Sequence, residues 1–306
     1  MANRGWPLAA CISLALLMGL ASAGAIGALT LTDTAGRQVA LAATPERIVA
    51  LTPSAIETLF AIGAGPAVVG RGASPTAFPP EAEALPVVDS VEAIIRLRPD
   101  LVVSHPNHHR FSPQILEHLQ TPTLLLQHRS VAEVLANITL LGAATGRDGP
   151  AEVLRRSLHE RVQRLIAPSA ASRPQVLLLF GTPRSFLAMG EDTYAGDLLR
   201  LAGGQNVASQ FMHHRPGGFH PLSLELIVKS RPQWVLVVSH GDPARVAEAY
   251  RKELESNPAW RRLGAVSLGR VHVLPDDLFA TSPGPRLDQA LVHLRQVLSS
   301  EAAHDR

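Results

Sequence analysis

SVEAIIRLRPDLVV at residues 90–103 returns as SLELIVKSRPQWVL at residues 223–236, with every position shifted by the same offset. In each copy a serine precedes a short apolar-periodic segment, a glutamate stands in its first turn, and a proline ends it. Serine is a favoured N-cap and an early acid complements the helix dipole, so each copy predicts a short helix. The β-branched run after each proline predicts a buried parallel strand. The chain therefore carries two equivalent α/β lobes.

Two helical patterns, divided by the sequence GRDGP at residues 146–150, lie between the two copies. The second pattern is rich in arginine, glutamate and leucine and has no partner strand in either lobe, so it predicts a helix that connects them. We therefore expect an N-terminal lobe at 29–146, a connecting helix at 147–170 and a C-terminal lobe at 171–300.

The first 23 residues have the layout of a secretory signal peptide. Arg4 precedes an apolar stretch at 8–20, which ends at the small residues Ala21-Ser22-Ala23. This predicts cleavage after Ala23 and a periplasmic location. The single cysteine, Cys11, lies inside the stretch, which leaves a lipid anchor as the alternative. If the signal peptide is removed together with Cys11, the mature chain has no thiol, which excludes disulfides and cysteine-bound metal.

The composition narrows the function classes further. The 306 residues include 46% apolar and 18% charged residues with a net charge of +2, as in an ordinary globular protein, and no basic stripe indicates nucleic acid binding. The sequence contains no nucleophile elbow, phosphate-binding loop or His-Glu-x-x-His motif. We therefore predict a protein that is not an enzyme and has no intrinsic cofactor. A zinc-dependent periplasmic enzyme that uses clustered histidines remains the alternative.

Six histidines form two clusters: His105, His108 and His109 directly follow the repeat strand of the first lobe, and His213, His214 and His220 lie just before the repeat of the second. Ligands of doubly wound sheets bind beyond the carboxyl ends of the strands, so both clusters are predicted to line one cleft and to approach each other. His105 and His220 are the candidate ligands of a metal centre. Four histidines outside these clusters, His128, His159, His293 and His304, are assigned to ordinary surface.

Two arginines are candidates for ligand carboxylates or siderophore oxygens because the guanidinium group binds such oxygens in a bidentate way. Arg71 follows a short strand of the first lobe, and Arg184 lies in a loop after the first strand of the second lobe. Because only neutral imidazole binds a metal, a histidine ligand predicts that affinity falls below about pH 6.5.

With the repeat in place, the chain resembles the helical-backbone (class III) periplasmic solute-binding proteins, in the branch that serves ABC importers of iron–siderophores, haem and cobalamin. The resemblance rests on five stretches in the same order, at 52–64, 97–103, 190–194, 201–208 and 283–288. It implies two Rossmann-like lobes with parallel sheets, joined by a single long helix, and a metal chelate held between them.

The same resemblance implies the partners. A monomeric binding protein would deliver its chelate to an inner-membrane permease dimer with its ATPase, and Glu92 and Glu225 would dock onto that permease. The two glutamates occupy equivalent repeat positions, which suits a two-fold partner. A binding protein for a bare divalent metal (zinc, manganese or nickel) stays open as an alternative, although the long acidic and histidine-rich loop of that group is absent. The residues do not choose among haem, ferric siderophore and cobalamin.

Overall fold

A parallel sheet supports the first lobe, and an antiparallel hairpin precedes it. The computed structural model describes residues 28–73, 79–166, 173–183, 185–211, 218–240, 242–280 and 283–299. The hairpin consists of β1 (Leu29–Thr32) and β2 (Gln38–Leu41). The sheet strands are β3 (Ile48–Ala50), β4 (Val68–Gly72), β5 (Val87–Val88), β6 (Leu101–Ser104) and β7 (Thr123–Leu125). They are all parallel and lie in the order β5-β4-β3-β6-β7.

Helices follow the strands of this sheet, as expected for a parallel α/β lobe. They are α1 (Pro53–Ala61), α2 (Pro80–Glu83), α3 (Val91–Leu97), α4 (Pro113–Glu117) and α5 (Val131–Thr145). The long α6 (Asp148–Leu165) then leads towards the second lobe. α5 and α6 pack closely because Gly142 has no side chain, and a Cβ at this position would collide with that of Ala151.

The second lobe has a mixed sheet with a parallel centre. Its strands are β8 (Gln175–Thr182), β9 (Ser185–Met189), β10 (Gln205–Asn206), β11 (Phe219–Pro221), β12 (Trp234–Val238) and β13 (Val271–Val273). The order is β11-β9-β8-β12-β13, with β10 beside the start of β8. β8, β12 and β13 are parallel, whereas β9 and β11 add antiparallel strands at one edge.

The helices of the second lobe cover both faces of this sheet. They are α7 (Tyr194–Leu201), α8 (Leu224–Ser230), α9 (Pro243–Ser256), α10 (Pro258–Arg261), α11 (Gly264–Ser267), α12 (Asp276–Phe279) and α13 (Leu287–Ser299). Among the described residues, no helix has the length and apolar character needed to span a bilayer.

The two copies of the repeat have the same local structure. Ser90 Oγ accepts the N–H of Ala93 at 3.2 Å, and Ser223 Oγ accepts that of Leu226 at 3.3 Å, so each serine caps its helix. At the other end, Arg98 (φ 45°) and Arg231 (φ 47°) both adopt the left-handed conformation. That conformation costs a non-glycine residue about 1–2 kcal/mol.

The residue after each proline accepts backbone hydrogen bonds at or near the start of a strand in its own lobe. The Asp100 carboxylate accepts the backbone N–H groups of Glu46 and Arg47, at the entry to β3. At the equivalent position, Gln233 Oε1 accepts the N–H of Gln175 at the start of β8. Both lobes therefore contain the same local structures in the same order: a helix, a left-handed turn, a proline and a strand.

One continuous apolar core runs from the first lobe into the second. It joins Leu141 of α5 and Leu158 of α6 to Leu198 of α7 and Leu291 of α13, and all four are fully buried. Polar contacts add to it, since Arg161 of α6 pairs with Asp288 of α13 at 2.7 Å. Shared packing of this kind holds the lobes together beyond the connecting chain itself.

The prediction of an α/β fold with two lobes is confirmed, and the predicted parallel pairing is found throughout the first sheet and at the centre of the second. α6 falls inside the range 147–170 that was assigned to the connecting helix, although the domain boundaries themselves stay a prediction. The hairpin β1–β2 and the antiparallel strands β9 and β11 were not predicted.

Candidate functional site

Three adjacent strands of the first lobe end in polar residues. β3 leads to Thr52, β6 ends at Ser104 and leads to His105, and β7 leads through Leu126 to His128. Because the three strands are parallel neighbours, these residues lie at the same edge of the sheet. His128, which was predicted to be ordinary surface, therefore belongs to the candidate site.

The imidazoles of His105 and His128 pack against each other. Their ring centroids are 4.4 Å apart and the planes are tilted by 36°. Burial, followed by the nearby His108, lowers the pKa of His105 to about 4, against the opposing effect of Glu133. Burial, followed by His105, lowers the pKa of His128 to about 3. Both rings are therefore neutral well below pH 6.5, the threshold that the sequence alone suggested.

Backbone contacts fix the tautomers of two histidines. The N–H of Asn107 donates to His105 Nδ1 at 3.0 Å, and those of Arg110 and Phe111 donate to His108 Nδ1 at 3.3 Å. A neutral ring whose Nδ1 accepts a hydrogen bond carries its proton on Nε2. In this conformation His105 and His108 are therefore hydrogen-bond donors through Nε2, and the expected role of His105 as a metal ligand stays a prediction.

His109 is exposed and stacks on His108, with ring centroids 5.3 Å apart. Burial, followed by the charge of His109, lowers the pKa of His108. These two rings extend the imidazole surface away from the His105–His128 pair.

The hairpin β1–β2 holds the segment that carries His128. Thr34 Oγ1 accepts the N–H of Gln127 at 2.7 Å, and buried Asp33 accepts the N–H of Leu125 at 3.1 Å. From the other side, Asn137 Nδ2 donates to Gln127 O at 2.6 Å. His128 is thus supported on a well-bonded strand end and not on a loose loop.

Three buried polar atoms at these strand ends have no hydrogen-bond partner among the described residues: Thr52 Oγ1, Ser104 Oγ and His128 Nδ1. An unsatisfied buried polar group costs about 1–3 kcal/mol, so such atoms call for water or a ligand. Their position on three neighbouring strands marks one place at which a ligand would satisfy them.

Aromatic rings occupy the matching strand ends of the second lobe. Phe180, near the end of β8, makes edge-on contacts with Phe219 (5.4 Å) and His240 (5.5 Å). His240 ends the second copy of the VVSH sequence, which makes it the counterpart of His105. Phe219 is 47% exposed and His240 is exposed, so this aromatic trio presents ring surface outside the core.

His220 lies elsewhere. It is buried in β11 and pairs with Ala188 of β9, so the two side chains share a face of the sheet. Ala188 belongs to the core on the side of α8 and α10, whereas Phe219, one residue earlier, points to the opposite face. His220 therefore lies on the opposite face of the sheet from the aromatic trio, and its expected approach to His105 stays a prediction.

Of the four remaining candidate residues, only Arg71 lies within the part of the chain that the structure describes. Arg71 lies half-buried on β4, where its guanidinium makes long contacts of 3.5 Å with the carbonyls of Gly72 and Glu83. Arg184, His213 and His214 lie outside the described residues. Their roles stay predictions.

Contacts between the lobes start next to His128. Asp197 of α7 accepts the N–H of Val131, the first residue of α5, at 2.9 Å. Arg129 binds Glu133 at 2.6 Å, and the hydrogen bond that it donates to Glu133 raises the pKa of Arg129, with a smaller contribution from the charge of Asp192. The His105–His128 pair is therefore close to the junction of the lobes.

Glu92 and Glu225 stand on the outer helices, away from these strand ends. Both are exposed, in the first turn of α3 and of α8 respectively. Neither forms an ion pair with another described residue. Their carboxylates are free to meet a partner.

The chemistry of these surfaces is that of ring faces and neutral imidazole. Among the described residues, no group of three or more His, Asp or Glu side chains is arranged to hold a metal ion. Aromatic and imidazole rings suit a flat, conjugated molecule, and a single imidazole suits a metal centre that brings its own ligands.

Comparison with known proteins gives a consistent result. Residues 48–278 match the family described as "Periplasmic binding protein". The Bacillus subtilis protein YvrC, described as an uncharacterized ABC transporter substrate-binding lipoprotein, is 26% identical over 279 residues, which cover 87% of this chain and 84% of YvrC.

Two solved structures bear on the site. Staphylococcus aureus IsdE complexed with heme has a TM-score of 0.74 and 25% identity, with 83% of this chain and 98% of that chain covered. The periplasmic heme-binding protein RhuT from Roseiflexus sp. RS-1, in apo form, has a TM-score of 0.70 and 27% identity, with coverage of 84% and 99%.

Proposed function

This chain belongs to the periplasmic binding protein family, and from that premise we propose that the substrate it captures for an ABC transporter is haem. The observation that carries the proposal is the neutral, half-buried imidazole pair His105–His128, in which the buried atom His128 Nδ1 has no partner among the described residues. Neutral imidazole is a common ligand of haem iron.

The second support is the aromatic trio of Phe180, Phe219 and His240 at the strand ends of the other lobe. Ring surfaces of this kind pack on a flat macrocycle through offset-stacked or edge-on contacts. IsdE and RhuT, whose structures are 25% and 27% identical to this chain, are both described with heme, which favours haem over the other chelates.

His128 is the proposed iron ligand of the first lobe because the other member of the pair, His105, accepts a backbone hydrogen bond at Nδ1. His105 would then support His128 by ring packing. Arg71 and Arg184 remain the proposed partners of the haem propionates, since a guanidinium fork matches a carboxylate.

Delivery requires a membrane partner, and we place it on the outer helices. Glu92 and Glu225 would dock onto the two halves of a permease dimer that works with an ATPase, because they are exposed and equivalent in the repeat. Export through residues 1–23, which lie outside the described residues, would put the chain in the periplasm, with a lipid anchor as the alternative.

Titration of the purified chain with haemin, a ferric hydroxamate, cyanocobalamin and zinc tests the proposal. We expect a Soret band that saturates at one haemin per chain, and weaker or no binding of the other three. Saturable binding of the hydroxamate or of cyanocobalamin, with no Soret change on adding haemin, would assign the site to another chelate.

A further inference from the structure

One position of the repeat holds the same residue in both copies although neither helix capping nor core packing explains it. Between the two copies, Ser90 and Ser223 are identical because they cap helices, and Ile94 and Ile227 are identical because they fill the core. The identical Arg98 and Arg231 have no such role, although both occupy the left-handed turn after the helix.

Arginine is a poor choice for that turn on structural grounds. Glycine adopts a positive φ without steric cost, and asparagine tolerates it better than most residues do. A base near the helix end complements the dipole, but Arg96 and Lys229 in the last turns already supply one. Two equivalent arginines in a strained conformation therefore indicate a requirement for the side chain.

The side chains are available for a partner. Arg96, Arg98, Lys229 and Arg231 are all exposed, and none of them forms an ion pair with another described residue. Each outer helix therefore displays an acid at its start and two bases at its end. The acid and the left-handed arginine are six positions apart, about 9 Å along a helix axis.

We infer that Arg98 and Arg231 form the second half of the docking surface and bind acidic side chains on the two halves of the permease dimer. The inference rests on the proposed docking of Glu92 and Glu225 and extends it. A two-fold partner presents the same group twice, and this chain offers the same charge pattern once on each lobe. A planar guanidinium next to a glutamate would attract the opposite charge on the permease and would also set the orientation of the docked chain.

Replacing both arginines by glycine separates this role from a structural one, since glycine fits the left-handed turn. The chain variant R98G/R231G should unfold at the same or a higher temperature and bind haemin as the wild type does. Its affinity for the cognate permease complex, isolated with the tagged wild-type chain and reconstituted in nanodiscs, should fall at least tenfold. R156A/R164A removes two exposed arginines from α6 and should leave that affinity unchanged.

The outcomes distinguish the two proposals. If R98G/R231G docks as well as the wild type while E92A/E225A does not, the arginine inference is wrong and the glutamate docking stands. If neither double variant weakens docking, both are wrong. Binding of the wild type to empty nanodiscs with anionic lipid, lost in R98G/R231G, would assign the arginines to the membrane surface and also overturn the inference.

Discussion

Arg286 and Glu57 lie 229 positions apart and form a two-pronged ion pair, with Nε–Oε2 and Nη2–Oε1 distances of 2.8 Å. Glu57 is on α1 of the first lobe, whereas Arg286 precedes α13 of the second and also binds Asp277. The pair joins the lobes at a position where Glu57 is almost fully buried.

Loss of Arg286 should be costlier than loss of Glu57. R286A leaves the Glu57 carboxylate buried without its cation and should lower the free energy of unfolding by about 3 kcal/mol. E57A leaves Arg286 with Asp277 and should cost about 1 kcal/mol. Urea denaturation of both variants and of the double variant gives the coupling energy. Equal losses that simply add would show that the pair does not act as an interlobe contact.

Acid should destabilise the fold before it abolishes binding. The unfolded chain protonates His105 and His128 near pH 6.5, but the folded chain does so only near pH 4 and 3. Stability is therefore complete above pH 6.5 and falls as the pH drops towards 4, by up to about 1.4 kcal/mol per unit for each group.

H128Q should remove about 2 kcal/mol of the stability loss between pH 7 and pH 5, as measured by urea denaturation at both values. H159Q, at an exposed position on α6, is the matched control and should change nothing. Haemin affinity of the wild type should stay constant from pH 8 to pH 5 and fall only near pH 4. A fall centred at pH 6.5 would mean that the ligand is an exposed histidine.

Thr34 should act on the site through the chain segment that it holds. T34V removes the acceptor of the Gln127 N–H and should lower the stability by about 1–2 kcal/mol. Because Gln127 precedes His128, haemin affinity should fall by about tenfold, which is about 1.4 kcal/mol. T139V on α5 is the control, with a single long contact of 3.5 Å to Leu135 O. Unchanged haemin affinity in T34V would show that the hairpin does not influence the binding site.

The glutamates of the outer helices should matter for transport and not for capture. E92A and E225A should leave haemin affinity unchanged and reduce haem uptake by cells, since both side chains are exposed on α3 and α8. E160A, at an exposed position on α6, should support normal uptake. A tenfold loss of haemin affinity in either variant would contradict the docking role.

Much of the fold could be predicted because it repeats. The helix, proline and strand of each copy are local features, and α3 with β6 and α8 with β12 lie where the repeat predicted a helix followed by a strand. The hairpin β1–β2 was missed, although Asp33 to Gly36 is a turn-forming stretch followed by the alternating Gln38 to Leu41.

The site was harder to predict because it depends on distant packing. His128 stands alone in the sequence, and only the order β3-β6-β7 brings it beside His105. A rule that considers every histidine after a predicted strand would have found His128 and His240. The burial of His220 follows from the register with β9, which the sequence does not specify.

The role of His128 as an iron ligand is the central claim, and haemin titration of H128A beside H159A tests it most directly. We predict that H128A shifts the Soret band and weakens haemin binding by tenfold or more, while H159A matches the wild type. A wild-type Soret band and affinity in H128A would contradict the account. The iron ligand would then be sought in the second lobe, where H240A would be the next variant.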